Sequence, residues 1–164
     1  MTKTVSAAIP TPSDLDESAS MTVSEALKII LANSYAIYLK TKNFHWHVSG
    51  PYFRDYHLLL DEQAAEILAV TDAIAERARK TGNTTIRSIG DIARHQTIKD
   101  NDAEFVTPQD MLRELRIDNL HMVESFRRAK EVADNAKDNA TSGLIDAWTD
   151  EAERRAWFLF EISR

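Results

Sequence analysis

Three of the five histidines of this chain stand close together, at His45, His47 and His57, and carboxylates follow them at helical spacing. From Phe53 to about Lys80 there is no Gly or Pro, and Leu60, Ile67 and Ile74 recur as an apolar stripe, so this stretch predicts one long helix. His57, Asp61, Asp72 and Glu76 lie on a neighbouring face of that helix, within an arc of roughly 100° at about 100° per residue. Ala64, Ala65, Leu68 and Ala75 line the space between them, which leaves the face small enough for another helix to approach closely. With no cysteine in the chain, disulfides, iron–sulfur clusters and thiolate zinc sites are excluded. Any metal must be held by His, Asp and Glu, a donor set that suits iron, manganese or zinc and leaves positions open for water, O2 or peroxide.

His57 and Asp61 form one i,i+4 pair and Asp72 and Glu76 another, but the two pairs are roughly 17–22 Å apart along the helix axis at about 1.5 Å per residue. They cannot share a metal within one helix. If the same helix of a second subunit lies antiparallel across a two-fold axis near position 66/67, each His/Asp pair meets the other subunit's Asp/Glu pair, because 57 + 76 equals 61 + 72. Two symmetric metal sites at a dimer interface follow from that arrangement. The competing reading is an ordinary solvated polar face, or one that merely sets dimer register.

The helices that must carry such a site can be read from the same sequence. The 164 residues fit one domain, and a low Gly and Pro content with 43% hydrophobic residues fits an all-α globular protein. Residues 1–20 are rich in Ser, Thr, Ala and Pro and read as a mobile tail, with residues 21–164 as the folded unit. Thr22-Val-Ser-Glu25 has the pattern of a capping box and opens a first helix running to about Trp46 or Val48, ended by Gly50-Pro51. The second helix closes at Thr81-Gly82-Asn83. Residues 84–106 are too long for a hairpin, and Ile86, Ile89 and Ile92 hint at a short helix inside this crossover. Thr107-Pro108 starts a third long helix that fades near Asn135. Asp138 to Gly143 reads as a turn, and Leu144 to Ile162 as the last helix, carrying Ile145, Trp148, Ala152, Phe158 and Leu159. Four long helices with one long crossover describe a ferritin-like four-helix bundle. A di-iron centre inside one bundle needs two Glu-x-x-His motifs, and the chain has none; Asp118-Asn-Leu-His121 is the nearest imitation and reads as a surface or core-edge pair.

His45 precedes the Gly50-Pro51 turn and is expected to fold back beside His57, while His47 points away. Trp46 and Trp157 read first as core aromatics, with electron donation near a metal as the alternative. No apolar run approaches the roughly 20 residues needed to span a bilayer, and VSAAIP is too short and too weakly basic for a signal peptide, so the expectation is a cytoplasmic protein with no membrane partner. The net charge of −6 opposes non-specific binding to nucleic acid and favours a surface or cavity that attracts cations.

The pattern H-W-x-V-x-G-x6-H-x3-D, followed by D-x3-E-R at the end of the same helix, resembles the Dps family of ferritin-like mini-ferritins, over about residues 22–162. The resemblance implies that His45, His57 and Asp61 of one subunit, with Asp72 and Glu76 of its two-fold mate, are ferroxidase ligands. It also implies that twelve bundles form a hollow shell that oxidises Fe(II) with hydrogen peroxide or O2, stores the ferric mineral and protects DNA, in the cytoplasm and near the nucleoid. Trp46 and Trp157 match tryptophans found near that centre. Three features depart from the pattern. The first 20 residues hold Lys3 against Asp14, Asp16 and Glu17, so weak or absent direct DNA binding is expected, the alternative being a DNA-compacting nucleoid protein. Asp138 and Asp146 are weak candidates for the three-fold pore, and Tyr56 stands where an aliphatic residue is usual. Arg127, Arg128 and Lys130 cluster on the third long helix and read as a solvated face.

Overall fold

A computed structural model describes residues 11–164. Its five helices are α1 (Glu17–His47), α2 (Phe53–Lys80), α3 (Ile89–His95), α4 (Pro108–Asn135) and α5 (Asn139–Ile162). The four long ones form the expected bundle, with the short α3 in the crossover between α2 and α4. Side-chain pairs fix the directions. Lys40 meets Glu114 and Asp118, and Gln63 and Arg77 meet Arg155 and Thr141, so α1 runs antiparallel to α4 and α2 antiparallel to α5. The crossover therefore brings α4 back parallel to α2, which a short loop cannot do.

The stripe Leu60, Ile67 and Ile74 is fully buried, as are Leu27, Ile30, Leu31 and Ile37 of α1, Met111, Leu115, Met122 and Phe126 of α4, and Ile145 and Leu159 of α5. Tyr56 also turns into this core, beside Tyr52. Phe158 of α5 is partly exposed and packs edge-on against Trp157. The α2 exit follows the expectation: Gly82 has φ +86°, and the Asn83 N–H reaches back to the Ala78 carbonyl at 3.1 Å. A Cβ at Gly82 would also lie 3.0 Å from the Thr11 carbonyl oxygen, so the segment leading into α1 is packed on this turn.

Two helix starts differ from the sequence reading. Helix α1 begins at Glu17 rather than at the Thr22 box, because the Asp16 carboxylate accepts the Ala19 N–H at 2.9 Å; Thr22 lies inside the helix and donates to the Ser18 carbonyl. The tail reading thus loses residues 17–20 to α1, and residues 1–10, Lys3 among them, lie outside the described residues. Likewise Asp138 to Gly143 is not a turn. Lys137 takes φ +57° and breaks the chain out of α4, and Asp138 caps α5 by accepting from the Thr141 N–H and hydroxyl at 3.0 and 2.5 Å. Arg77 of α2 donates to the same carboxylate at 2.7 Å, which leaves Asp138 only 2% exposed and removes it as a pore residue. Asp146 is exposed and bridged by Lys130.

The crossover is held by polar side chains on buried backbone. Asn33 accepts from the Thr97 and Ile98 N–H groups at 2.7 and 3.1 Å, His121 is 2.7 Å from the Thr97 hydroxyl, and Asn101 donates to Glu114 at 2.8 Å. Among the described residues no helix is long and apolar enough to cross a membrane.

Candidate metal centre

The turn at Gly50-Pro51 folds the end of α1 onto the start of α2 and brings His45 against His57. Their rings stack with centroids 3.8 Å apart and planes 20° apart, and the Phe53 ring lies tilted against His57 with centroids 4.9 Å apart. The backbone fixes both rings reciprocally: His45 Nδ1 is 2.7 Å from the His57 carbonyl oxygen, and His57 Nδ1 is 2.8 Å from the His45 carbonyl oxygen. A carbonyl oxygen only accepts, so each Nδ1 carries the hydrogen. Nε2 is then the nitrogen left to each ring for a metal, with the ring orientation set by the hydrogen bond at Nδ1.

Asp61, one turn on from His57, places Oδ1 3.9 Å from His45 Nε2. Its carboxyl is held below the ordinary carboxylate value chiefly by a hydrogen bond and charge attraction from Lys42, with smaller help from His45 and His57, against the opposing effect of burial. Lys42 Nζ lies 2.7 Å from Asp61 Oδ1 and 5.9 Å from the centre of the Trp46 ring. Lys42 was not picked out in the sequence. The signal was there, because it precedes His45 by three residues and so shares that face of α1.

Asp72 and Glu76 lie further along the same exposed face of α2, and Glu76 is bridged by Lys80 at 3.3 Å. The structure therefore brings His45, His57 and Asp61 together and leaves Asp72 and Glu76 apart from them. Among the described residues no group of three or more His, Asp or Glu side chains is gathered closely enough to hold a metal within one chain. Asp61, Ala65, Leu68, Ala69, Asp72 and Glu76 make an unbroken exposed strip, with Leu68 41% exposed. A strip that mixes carboxylates with small and apolar residues is what the antiparallel helix contact requires.

His47 points away from this cluster, as expected, with Nδ1 on the Asn43 carbonyl at 2.7 Å. Trp46 and Trp157 are not core aromatics: they are 58% and 59% exposed. Asp118 and His121 are a core-edge pair, Asp118 bound to Lys40 and His121 to Thr97. The basic cluster on α4 is neutralised: Arg127 meets Glu153, Arg128 meets Glu124, and Lys130 meets Asp146.

Comparison with known proteins agrees with this architecture. A ferritin-like domain model matches residues 24–163. The chain is 30% identical to DNA protection during starvation protein 1 of Deinococcus radiodurans over 155 residues, which is 90% of this chain and 72% of that protein. Among solved structures, Dps from Thermosynechococcus elongatus superposes with a TM-score of 0.86 at 28% identity, covering 90% of this chain and 93% of that one. A Dps homologue from Halobacterium salinarum gives 0.88 at 27% identity, covering 94% and 88%. With the fold, the histidine pair and the carboxylate strip in place, these likenesses assign the chain to the Dps family of ferritin-like proteins.

Proposed function

We propose that this chain is the subunit of an iron-oxidising, iron-storing mini-ferritin whose ferroxidase sites are shared across a two-fold axis. Each site combines His45, His57 and Asp61 with the partner subunit's Asp72 and the partner subunit's Glu76. The observation that carries this reading is the reciprocal locking of the two stacked imidazoles through Nδ1, with His45 Nε2 3.9 Å from Asp61, on a helix face whose remaining carboxylates sit at the mirrored spacing. Fe(II) is the substrate. Each Fe(II) gives up one electron, hydrogen peroxide takes two as its O–O bond breaks, and with two protons it leaves as two water molecules; O2 is the alternative acceptor. The protein's part is to hold two cations close together through few ligands, so that both electrons leave as a pair rather than singly.

The family likeness supports assembly of such dimers into a shell of twelve that keeps ferric mineral inside, in the cytoplasm. Protection of DNA then follows from removing Fe(II) and peroxide, whose reaction in solution yields hydroxyl radical. Direct DNA binding is expected to be weak or absent, because the net charge is −6 and Arg127, Arg128 and Lys130 of α4 are each matched by a carboxylate. The DNA-compacting alternative needs a concentrated basic surface, which this pairing does not favour. His57→Ala and Asp61→Asn test the assignment: each is expected to slow peroxide-driven Fe(II) oxidation at least about tenfold while the oligomer stays intact, since each removes a ligand rather than core volume. Unchanged rates in assembled variants would refute it.

A further inference from the structure

The candidate site contains a cation of its own. The Lys42 ammonium lies 2.7 Å from Asp61 Oδ1, the same oxygen that lies 3.9 Å from His45 Nε2. Two ligands of one ion, each bonded at about 2.0–2.2 Å, stand between about 3 and 4 Å apart. A metal held by His45 and Asp61 would therefore use the carboxylate oxygen that Lys42 now occupies. We propose that Lys42 is an internal competing cation, which neutralises Asp61 in the metal-free protein and must be displaced when Fe(II) binds through that carboxylate.

Several features make the competitor effective. The side chain of Lys42 is only 18% exposed, so its position is set by the α1 surface rather than by a freely moving chain. When displaced, its ammonium has a second place to go, since the Trp46 ring is 5.9 Å away and its face attracts cations. The other half of the proposed site is different. Glu76 pairs with Lys80 one turn further along its own helix at 3.3 Å, and such an i,i+4 pair hardly resists a divalent ion. The proposal rests on the shared-site reading above and deepens it. Cations enter through the imidazoles and the partner's carboxylates without competition, while any cation bound through Asp61 must first release Lys42. Binding through Asp61 is consequently weaker than its ligands alone would give, and it exchanges one charge for another instead of leaving a bare carboxylate between loads.

Zn(II) is a redox-inert probe that separates binding from oxidation. Calorimetric titration of the assembled, metal-stripped protein is expected to show an Asp61-dependent step that Lys42→Met or Lys42→Gln tightens about tenfold, since both attraction for Asp61 and repulsion of the incoming ion are lost. Lys42→Arg is expected to keep the wild-type affinity, and Asp61→Asn to abolish the step in every background. An affinity in Lys42→Met and Lys42→Gln equal to or weaker than wild type, with the Asp61-dependent step present, would overturn the role of Lys42 and leave the shared site standing. Zn(II) binding indifferent to Asp61→Asn and His57→Ala in all backgrounds would overturn both.

Discussion

The most informative stability perturbation is Lys40→Met. Lys40 is 5% exposed, and its ammonium bridges α1 to α4 through Asp118 at 2.8 Å and Glu114 at 2.9 Å. Methionine keeps most of the length of the side chain, so packing is largely retained and the charge is what is lost. Removing one partner of a buried ion pair costs about 3–5 kcal/mol. The low end applies here, because the Glu114 side chain is 32% exposed and can rehydrate, whereas Asp118 is 8% exposed and cannot. The pH dependence has a definite sign. Burial already raises the Asp118 carboxyl above its ordinary value, with Lys40 as the main opposing influence. The folded state thus binds this proton more tightly than the unfolded state does, and this group's contribution to stability falls as pH rises through the window between the two values. Without Lys40 the folded value climbs further and the window widens. The deficit of the variant is therefore expected to be about 3 kcal/mol at pH 7 and to shrink as the pH is lowered and Asp118 takes up a proton. Urea unfolding followed by far-ultraviolet circular dichroism, at one fixed protein concentration, measures it. Adding Asp118→Asn should recover most of the loss. A deficit below about 1 kcal/mol at pH 7, or one that does not change with pH, would refute the reasoning.

Three further outcomes are expected. Ala65→Arg on the exposed strip of α2 should dissociate the proposed two-fold contact, and a sedimentation profile identical to wild type would count against that contact. Asp16→Ala should cost about 1 kcal/mol by uncapping α1, and no change in the unfolding midpoint would place the start of α1 back at Thr22. In a gel-shift titration at physiological salt the assembled protein should retain no plasmid. Tight retention lost on deleting residues 1–10 would assign DNA binding to that segment, and the deletion should stop there, because residues 11–20 contain the Gly82 contact and the α1 cap.

How far the sequence disclosed this molecule depends on whether a feature is set by spacing along one element or by contact between two. The α2 boundaries, Phe53 and Lys80, were legible because a glycine exit and an unbroken period allow no alternative. The start of α1 was not, since Asp16 and Thr22 both offer a good cap and nothing between them breaks a helix; only the backbone decides in favour of the earlier one. Asp138 misled for a related reason. Asp and Asn beside a Gly-containing stretch look like a turn, but the carboxylate is drawn inward by Arg77 from a helix 61 residues away, a pairing that no local pattern contains. Trp46 and Trp157 show the complementary failure: apolarity says that a side chain needs cover, not that its own subunit supplies it.

The candidate site divides along the same line. His57, Asp61, Asp72 and Glu76 share one helix, so their common face was calculable from about 3.6 residues per turn. Placing His45 beside His57 needed only a tight turn between two helices, but the reciprocal hydrogen bonds that choose the tautomer needed the backbone itself. Lys42 lies across a helix–helix contact from Asp61, 19 residues away, and a lysine on a half-exposed face looks like any solubilising cation. That is the residue which changes the chemistry of the site. Reading ligands alone describes a cluster that attracts Fe(II), whereas adding the ammonium describes one whose Asp61 carboxylate is already paired before iron arrives, so that uptake at Asp61 becomes an exchange of cations within the protein.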